Sequence, residues 1–292
     1  MQFQKYQHIE RLGTVATDGI LKGTVCAFDK LDGTNTSVYL NDSGEVEVAS
    51  RNRVLTAEQD NHGVRAYVLN DTRFKDYLAM YPTHRLFGEW LVPHTIRTYK
   101  DTAWRNFYVF DVMDGENYLP YEKYSIACAI HAIPFIPLIA KLENPTAEEV
   151  AALRDKCTFQ QKDGCLGEGI VIKRYDFVNR FGKTVWAKLV RPVEKAAVKF
   201  QKPLATESVA ANIVEKFLPS ELIEKEYAKI VSEAGYWDKK FIPKLLGVTW
   251  HTFITEEIFN VLRDFKNPMI DFKLLNALAI QKIKDVKPDI FA

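Results

Sequence analysis

Apolar and polar positions alternate along the first two thirds of the chain and then change period. Val25–Phe28 is a short apolar run that predicts a strand. Thr36–Leu40 alternates, Asn41-Asp42-Ser43-Gly44 supplies turn chemistry, and Glu45–Ala49 alternates again, which predicts a hairpin. Arg85–Trp90 and Asn106–Val112 are rich in aromatic and β-branched residues and predict further strands. Gly169–Lys173 and Thr184–Val190 predict another pair, with a turn at Gly182. Asp71–Met80 and Thr146–Lys156 have helical spacing, the second opening on a capping box of Thr146 and Glu149.

After about Val198 helical signals take over. Thr206 or Ser208 is placed to cap a helix running to Phe217, and Pro219-Ser220-Glu221 opens another that Gly235 closes. Phe241–Gly247 reads as a short helix carrying Pro243. Thr252–Phe265 reads as a separate one with Phe253, Ile254, Ile258, Val261, Leu262 and Phe265 on one face. Asn267-Pro268 is the expected start of a last helix that ends near Lys284, before Pro288. The expected organisation is α+β, with antiparallel sheets and helices over 1–200 and a small all-helical domain over 206–292.

Composition narrows the class. Of 292 residues, 47% are hydrophobic and 26% charged, which excludes a disordered chain. The net charge of +1 argues against a bulk polycation but leaves room for a local basic groove. The four cysteines form no Cys-x-x-Cys and have no zinc spacing, so free thiols in a reducing compartment are expected. The longest apolar stretch, Ile126–Ala140, is interrupted by His131, Pro134 and Pro137, so no membrane span is expected. The N-terminus lacks a signal-peptide apolar core, and a cytoplasmic protein is expected.

Several segments carry candidate chemistry. In Lys30-Leu31-Asp32-Gly33-Thr34-Asn35 a lysine follows an apolar strand and precedes a glycine turn that allows close approach of a ligand. A lysine amine is nucleophilic only when deprotonated, which cationic neighbours or desolvation favour. In Gly167-Glu168-Gly169-Ile170-Val171-Ile172-Lys173, Glu168 suits a hard cation bound to phosphate and Lys173 suits the phosphate itself. Alternation puts Lys188 on one face with Trp186 and Val190, either snorkelling or aimed into a site. Glu89 stands near a strand end where it can accept from ribose hydroxyls, and the aromatics of Phe107–Val112 can stack a base. Each segment alone reads equally well as a surface lysine, a strand opening, or core.

Taken together, Lys30, Glu89, Phe110, Glu168, Lys173 and Lys188 occur in an order that resembles the covalent nucleotidyltransferase superfamily of ATP-dependent polynucleotide ligases and mRNA capping enzymes. That superfamily carries a Lys-x-Asp-Gly element, a Gly-Glu element, a Phe-Asp element, a Glu-Gly-x-Val-x-Lys element and a final lysine strand, and counterparts of all are present. Within it the chain resembles the bacteriophage RNA ligase 2 family. The resemblance rests on Lys30-x-x-Gly33-Thr34-Asn35, the opening Phe3-Gln4-Lys5-Tyr6-Gln7-His8-Ile9-Glu10, Phe87-Gly88-Glu89 and Tyr108-Val109-Phe110-Asp111. Leu246-Gly247-Val248-Thr249, expected just before a helix, extends it weakly into the tail.

The resemblance implies an ATP-grasp-like adenylylation fold and three displacements at phosphorus. Lys30 takes AMP from ATP, AMP passes to an RNA 5′-phosphate, and a 3′-hydroxyl displaces it. Lys30, Lys173 and Lys188 are the implied catalytic residues. Leu31, Asn35, Arg51, Glu89, Phe110, Glu168, Lys173 and Lys188 are the implied nucleotide contacts, with Arg53 competing for the role of Arg51. Glu168 would hold Mg²⁺ or Mn²⁺. The implied partner is RNA with 5′-phosphate and 3′-OH ends, as a nicked duplex or RNA/DNA hybrid, bound by a monomer in the cytoplasm of a phage host. Arg97, Lys100, Arg105, Lys195, Lys199 and Lys202 could line the RNA surface. The family's final Lys-x-Lys is broken here, because Val190 stands at the second position and Arg191 is expected on the opposite face. His94 is either a loop histidine or a substrate contact. Alternatives are an ATP-dependent DNA ligase, a capping enzyme, or a catalytically inactive nucleic-acid-binding relative. The first two normally carry a β-barrel module, which the helical tail disfavours.

Overall fold

A computed structural model of the chain describes residues 1–191 and 209–291. They fall into two compact units, Met1–Arg191 and one whose described part is residues 209–291. The expected boundary at 198–206, the helix cap at Thr206 or Ser208 and the basic residues Lys195, Lys199 and Lys202 lie outside the described residues.

The first unit contains, in chain order, β1 (Glu10–Arg11), β2 (Thr24–Asp29), β3 (Thr34–Leu40), β4 (Val46–Ser50), α1 (Val64–Asn70), α2 (Thr72–Met80) and β5 (His84–Trp90). It continues with β6 (Phe107–Asp114), β7 (Asn117–Tyr118), α3 (Tyr121–Ile130), β8 (Leu138–Glu143), α4 (Ala147–Ala152), β9 (Gly169–Lys173) and β10 (Ala187–Val190). Two five-stranded sheets result, in the orders β1-β10-β9-β2-β8 and β4-β3-β5-β6-β7. Only the short β1–β10 ladder is parallel.

Local chemistry accounts for most of these elements. The Asn41 side chain accepts from the Ser43 and Glu45 N–H groups, closing the expected β3–β4 hairpin with Gly44 in the left-handed region. Asp71 caps α2 by accepting from Arg73 N–H. Both hydrogen bonds of the Thr146–Glu149 capping box form at α4, and the last turn of the predicted helix tightens into a 3₁₀ turn over Leu153–Lys156. The period of two gives the second sheet two apolar faces. Val38, Leu86 and Val112 pack on α1–α3, while Phe87 and Tyr108 turn the other way. There Phe28, Val171 and Trp186 of the first sheet and its approach meet them, so one core lies between the sheets. A third core, including Ile170 and Ile172, covers the far face of the first sheet with Val150 and Leu153.

Three parts of this unit add to or differ from the sequence reading. The Ile126–Ala140 stretch is the second half of α3, a proline turn and the start of β8, a strand that pairs with β2. Helix α1 was not expected from the spacing. The strand predicted over Thr184–Val190 begins at Ala187, after an isolated bridge between Val178 and Thr184. Gly182 makes the expected turn, braced by the Asn179 side chain. The four thiols are free.

The second unit contains α5 (Val209–Phe217), α6 (Ser220–Ala234), α7 (Ile242–Asp264), α8 (Phe272–Val286) and α9 (Pro288–Phe291) around Ile213, Ile230, Leu245, Phe253, Leu275 and Ile283. Gly235 closes α6 in the left-handed conformation, as expected. The two helices predicted over Phe241–Gly247 and Thr252–Phe265 are one, α7. Pro243 sits in its first turn, where a missing N–H costs nothing, and buried Leu245 and Thr249 carry the helix through Gly247. Leu246–Thr249 therefore lies inside a helix, not before one. Asn267-Pro268 does not start α8: Asn267 finishes α7, donating its N–H to Leu262, and Asp271 caps α8 instead.

Candidate active site

Lys30 leaves the end of β2 with its N–H donated to the Gly169 carbonyl at 2.9 Å. Its Nζ stands 2.5 Å from Glu168 Oε2, and the two side chains are 20% and 11% exposed. Gly169 makes this contact possible. Its φ is +150°, and a Cβ there would lie 2.3 Å from the Leu189 carbonyl oxygen. Only glycine lets β9 start so close to β10, and that start sets Glu168 beside Lys30.

Gly33 has a similar role. A Cβ at this position would stand 2.4 Å from the Trp90 carbonyl oxygen. The Gly33 N–H donates to Glu89 Oε1 at 3.0 Å, and Glu89 pairs across the sheet with Asn35. Burial pushes the Glu89 carboxyl up to about 7; the nearby Lys30 charge and the Gly33 N–H pull it down, and Asp32 and Glu168 add to the rise. Arg51 is half-buried and follows Ser50, the partner of Thr36, in the turn that the Ser50 N–H closes by donating to the Arg53 carbonyl. Arg53 is exposed. Leu31 is buried with Leu91, Tyr99 and Tyr108, so its side chain is core.

Phe110 occupies a bulge. Phe87 pairs with Asp111 and Gly88 with Val109, leaving Phe110 as the extra residue of β6. A Cβ at Gly88 would meet the Phe107 ring at 2.5 Å. The Phe110 ring is half-buried, 4.9 Å from that of Tyr6.

Lys173, unlike Lys30, is sealed inside the fold. It is 2% exposed, with Nζ 2.7 Å from Asp111 Oδ1 and donating to the Phe110 carbonyl at 2.5 Å. Asp111 also accepts from Tyr6 Oη (2.5 Å) and Trp186 Nε1 (3.1 Å). Burial pulls the Lys173 ammonium down and the Asp111 carboxylate holds it up. Alternation puts Lys173 on the inter-sheet face with Val171, and Tyr6 and Trp186 close that face around it. Lys188 is half-buried and paired with Val171, which pairs in turn with Phe28, so it shares the face that bounds the inter-sheet core. Arg191, the basic residue nearest the missing second lysine, is half-buried. It follows the end of β10, where its backbone N–H donates to the Glu168 carbonyl at 2.9 Å.

Sequence reasoning missed the buried carboxylates Asp29, Asp32 and Asp111. For Asp29 and Asp111 the signal was present: an acidic residue inside an apolar strand needs buried donors. His94 is a loop histidine, 7% exposed, with Nδ1 3.1 Å from Asp32 Oδ1. Arg97, Lys100 and Arg105 are exposed. Among the described residues no group of three or more His, Cys, Asp or Glu could hold a metal ion, and no helix is long and apolar enough to cross a membrane.

A family model for RNA ligase matches residues 23–190, more than half of the chain. No curated protein gives a significant match. Among solved structures, Naegleria gruberi RNA ligase with PPi superposes with a TM-score of 0.51 and 24% identity, over 64% of this chain and 56% of that one. A mutant of the same enzyme with AMP and Mn gives 0.50 and 22%, over 64% and 55%. The chain thus spans a little over half the length of these proteins, and the likeness is one of fold.

Proposed function

From a chain that belongs to the RNA ligase family, we propose an ATP-dependent enzyme that joins RNA 3′-OH and 5′-phosphate ends, with Lys30 as the carrier of AMP. The observation that carries this reading is the Lys30 amine at 2.5 Å from Glu168, on a loop anchored to Gly169 and Glu89. The Lys30-x-x-Gly33-Thr34-Asn35 spacing supports the bacteriophage RNA ligase 2 branch.

ATP is the first substrate. The Lys30 amine forms an N–P bond at the α-phosphorus, the bond to pyrophosphate breaks, and the amine loses its proton. An oxygen of the RNA 5′-phosphate then attacks the AMP phosphorus, and Lys30 leaves and regains a proton. Finally the 3′-hydroxyl attacks the capped 5′-phosphorus, loses its proton, and AMP departs. Each displacement depends on alignment and charge neutralisation. Lys188 serves as the α-phosphate cation, Glu89 as acceptor for ribose hydroxyls, Phe110 as the adenine stack, and Asn35 and Arg51 as phosphate contacts. Lys173 holds the Phe110 carbonyl rather than touching phosphate.

The donor set fits a hard divalent cation that keeps most of its waters, since one carboxylate, Glu168, stands beside the nucleophile and phosphate oxygens would complete the shell. Bound there, Mg²⁺ or Mn²⁺ would neutralise phosphate charge. The Naegleria complex with AMP and Mn makes Mn²⁺ a metal to try beside Mg²⁺.

The test is joining of 5′-labelled RNA in a nicked duplex, a nicked RNA/DNA hybrid and a single strand. A longer, phosphatase-resistant product that needs ATP supports the reading, with nicked duplex or hybrid favoured. Sealing confined to nicked DNA overturns it in favour of a DNA ligase.

A further inference from the structure

The loop that presents Lys30 is fastened by a group that the three displacements leave unused. Asp32 is 3% exposed. Its Oδ2 accepts from the N–H groups of Thr95 (2.8 Å) and Ile96 (2.7 Å), and its Oδ1 faces Nδ1 of His94 at 3.1 Å. Because Oδ1 of a carboxylate can only accept, His94 carries its proton on Nδ1. The Asp32 N–H donates to Tyr99 Oη at 2.9 Å. Between Lys30 and Asp32, Leu31 packs against Leu91 and Tyr99. Both residues after Lys30 are therefore clamped to the segment 91–99, while Lys30 itself is held by Gly169.

A buried carboxylate needs donors on each oxygen, and loss of one leaves a cost that local rearrangement relieves. Any shift of Asp32 that relieves this cost is passed along the chain to Lys30, two residues before it. An attacking atom misplaced by about 1 Å can lose about a hundredfold in rate.

We propose that Asp32 and His94 form a positioning pair that sets where the Lys30 amine stands, acting through the loop and touching no substrate. This rests on the reading of Lys30 as the nucleophile. It predicts a split between the steps. Formation of lysyl-AMP from ATP needs Lys30 aligned. Sealing of an RNA whose 5′ end already carries AMP uses the 3′-hydroxyl as nucleophile and does not.

The experiment compares His94→Asn with His94→Gln in the full chain. The Asn amide can put an N–H near the place of Nδ1, whereas the Gln amide reaches the place of Nε2. His94→Gln should slow lysyl-AMP formation at saturating ATP by about tenfold or more. Its KM for ATP and its sealing of pre-adenylylated nicked RNA should stay within about twofold. His94→Asn should recover most of the first rate. Equal losses in both steps, an unaffected His94→Gln, or an Asn variant no better than Gln overturns the pair. Should His94→Gln not fold, a folded His94→Asn with slow lysyl-AMP formation also overturns it, and one with the wild-type rate supports it. Wild-type protein that takes no AMP from ATP overturns the nucleophile reading itself, a failure seen without any His94 variant.

Discussion

At the scale of single residues, the same side-chain type has two fates in this site. Lys30 and Lys173 end neighbouring strands, yet one remains partly exposed beside Glu168 and the other is sealed against Asp111. Lys173→Met leaves the Asp111 carboxylate buried without its cation and should cost about 3–5 kcal/mol in urea unfolding. Adding Asp111→Asn should recover part of that, and a single variant as stable as wild type contradicts the account. Glu89 supplies a pH signature. Its carboxyl is raised to about 7 by burial, against about 4.3 in an unfolded chain. Between those values the folded protein holds a proton that the unfolded chain has released, so this group lowers stability as pH rises through the window. Glu89→Gln should therefore gain in unfolding midpoint, relative to wild type, from pH 4 to pH 8. A difference that stays flat with pH contradicts the burial. Lys30, Glu89 and Glu168 were legible as candidates from residue type and order. The sealing of Lys173 was not, because alternation assigns a face without saying what covers it.

At the scale of elements, two glycines decide where the chemistry stands. Gly169 combines a positive φ with a Cβ position 2.3 Å from a backbone oxygen, and Gly33 has a comparable clash with Trp90. Gly169→Ala should lower stability by about 1–3 kcal/mol from backbone strain alone. It should also reduce AMP transfer to Lys30 beyond what that loss explains, read as labelling rate in conditions where the variant is folded. Wild-type labelling would show that the start of β9 does not set the Lys30–Glu168 contact. Strands with clean alternation and caps with paired side chains, such as β3, β4 and α4, were readable in advance. β8 was not, since its apolar residues run on from those of α3 across two prolines. The single helix α7 was misread as two because Gly247 looks like a break, while the packing of Leu245 and Phe253 that carries it through is tertiary.

At the scale of the whole molecule, the match to the family model ends at residue 190, just before the end of the first unit at Arg191. That unit holds Lys30, Glu89, Phe110, Glu168 and Lys188 together with its own cores. A chain ending at Arg191 should still take AMP from ATP, while joining RNA ends at least about tenfold more slowly than the full chain if the helical unit contributes to gripping phosphates. Equal joining by both would remove the helical unit from the reaction. The order of motifs made the first unit's family legible, whereas the nearly balanced charges of the tail pointed to no RNA-binding face. The central claim is that Lys30 carries AMP. The most direct measurement is incubation of wild-type and Lys30→Ala protein with α-³²P-ATP and Mg²⁺, after pyrophosphate treatment to clear any AMP already bound, followed by denaturing electrophoresis. An acid-labile label on the wild type and none on the variant is the expected result. Equal labelling of both, or no label on folded wild type, would contradict it.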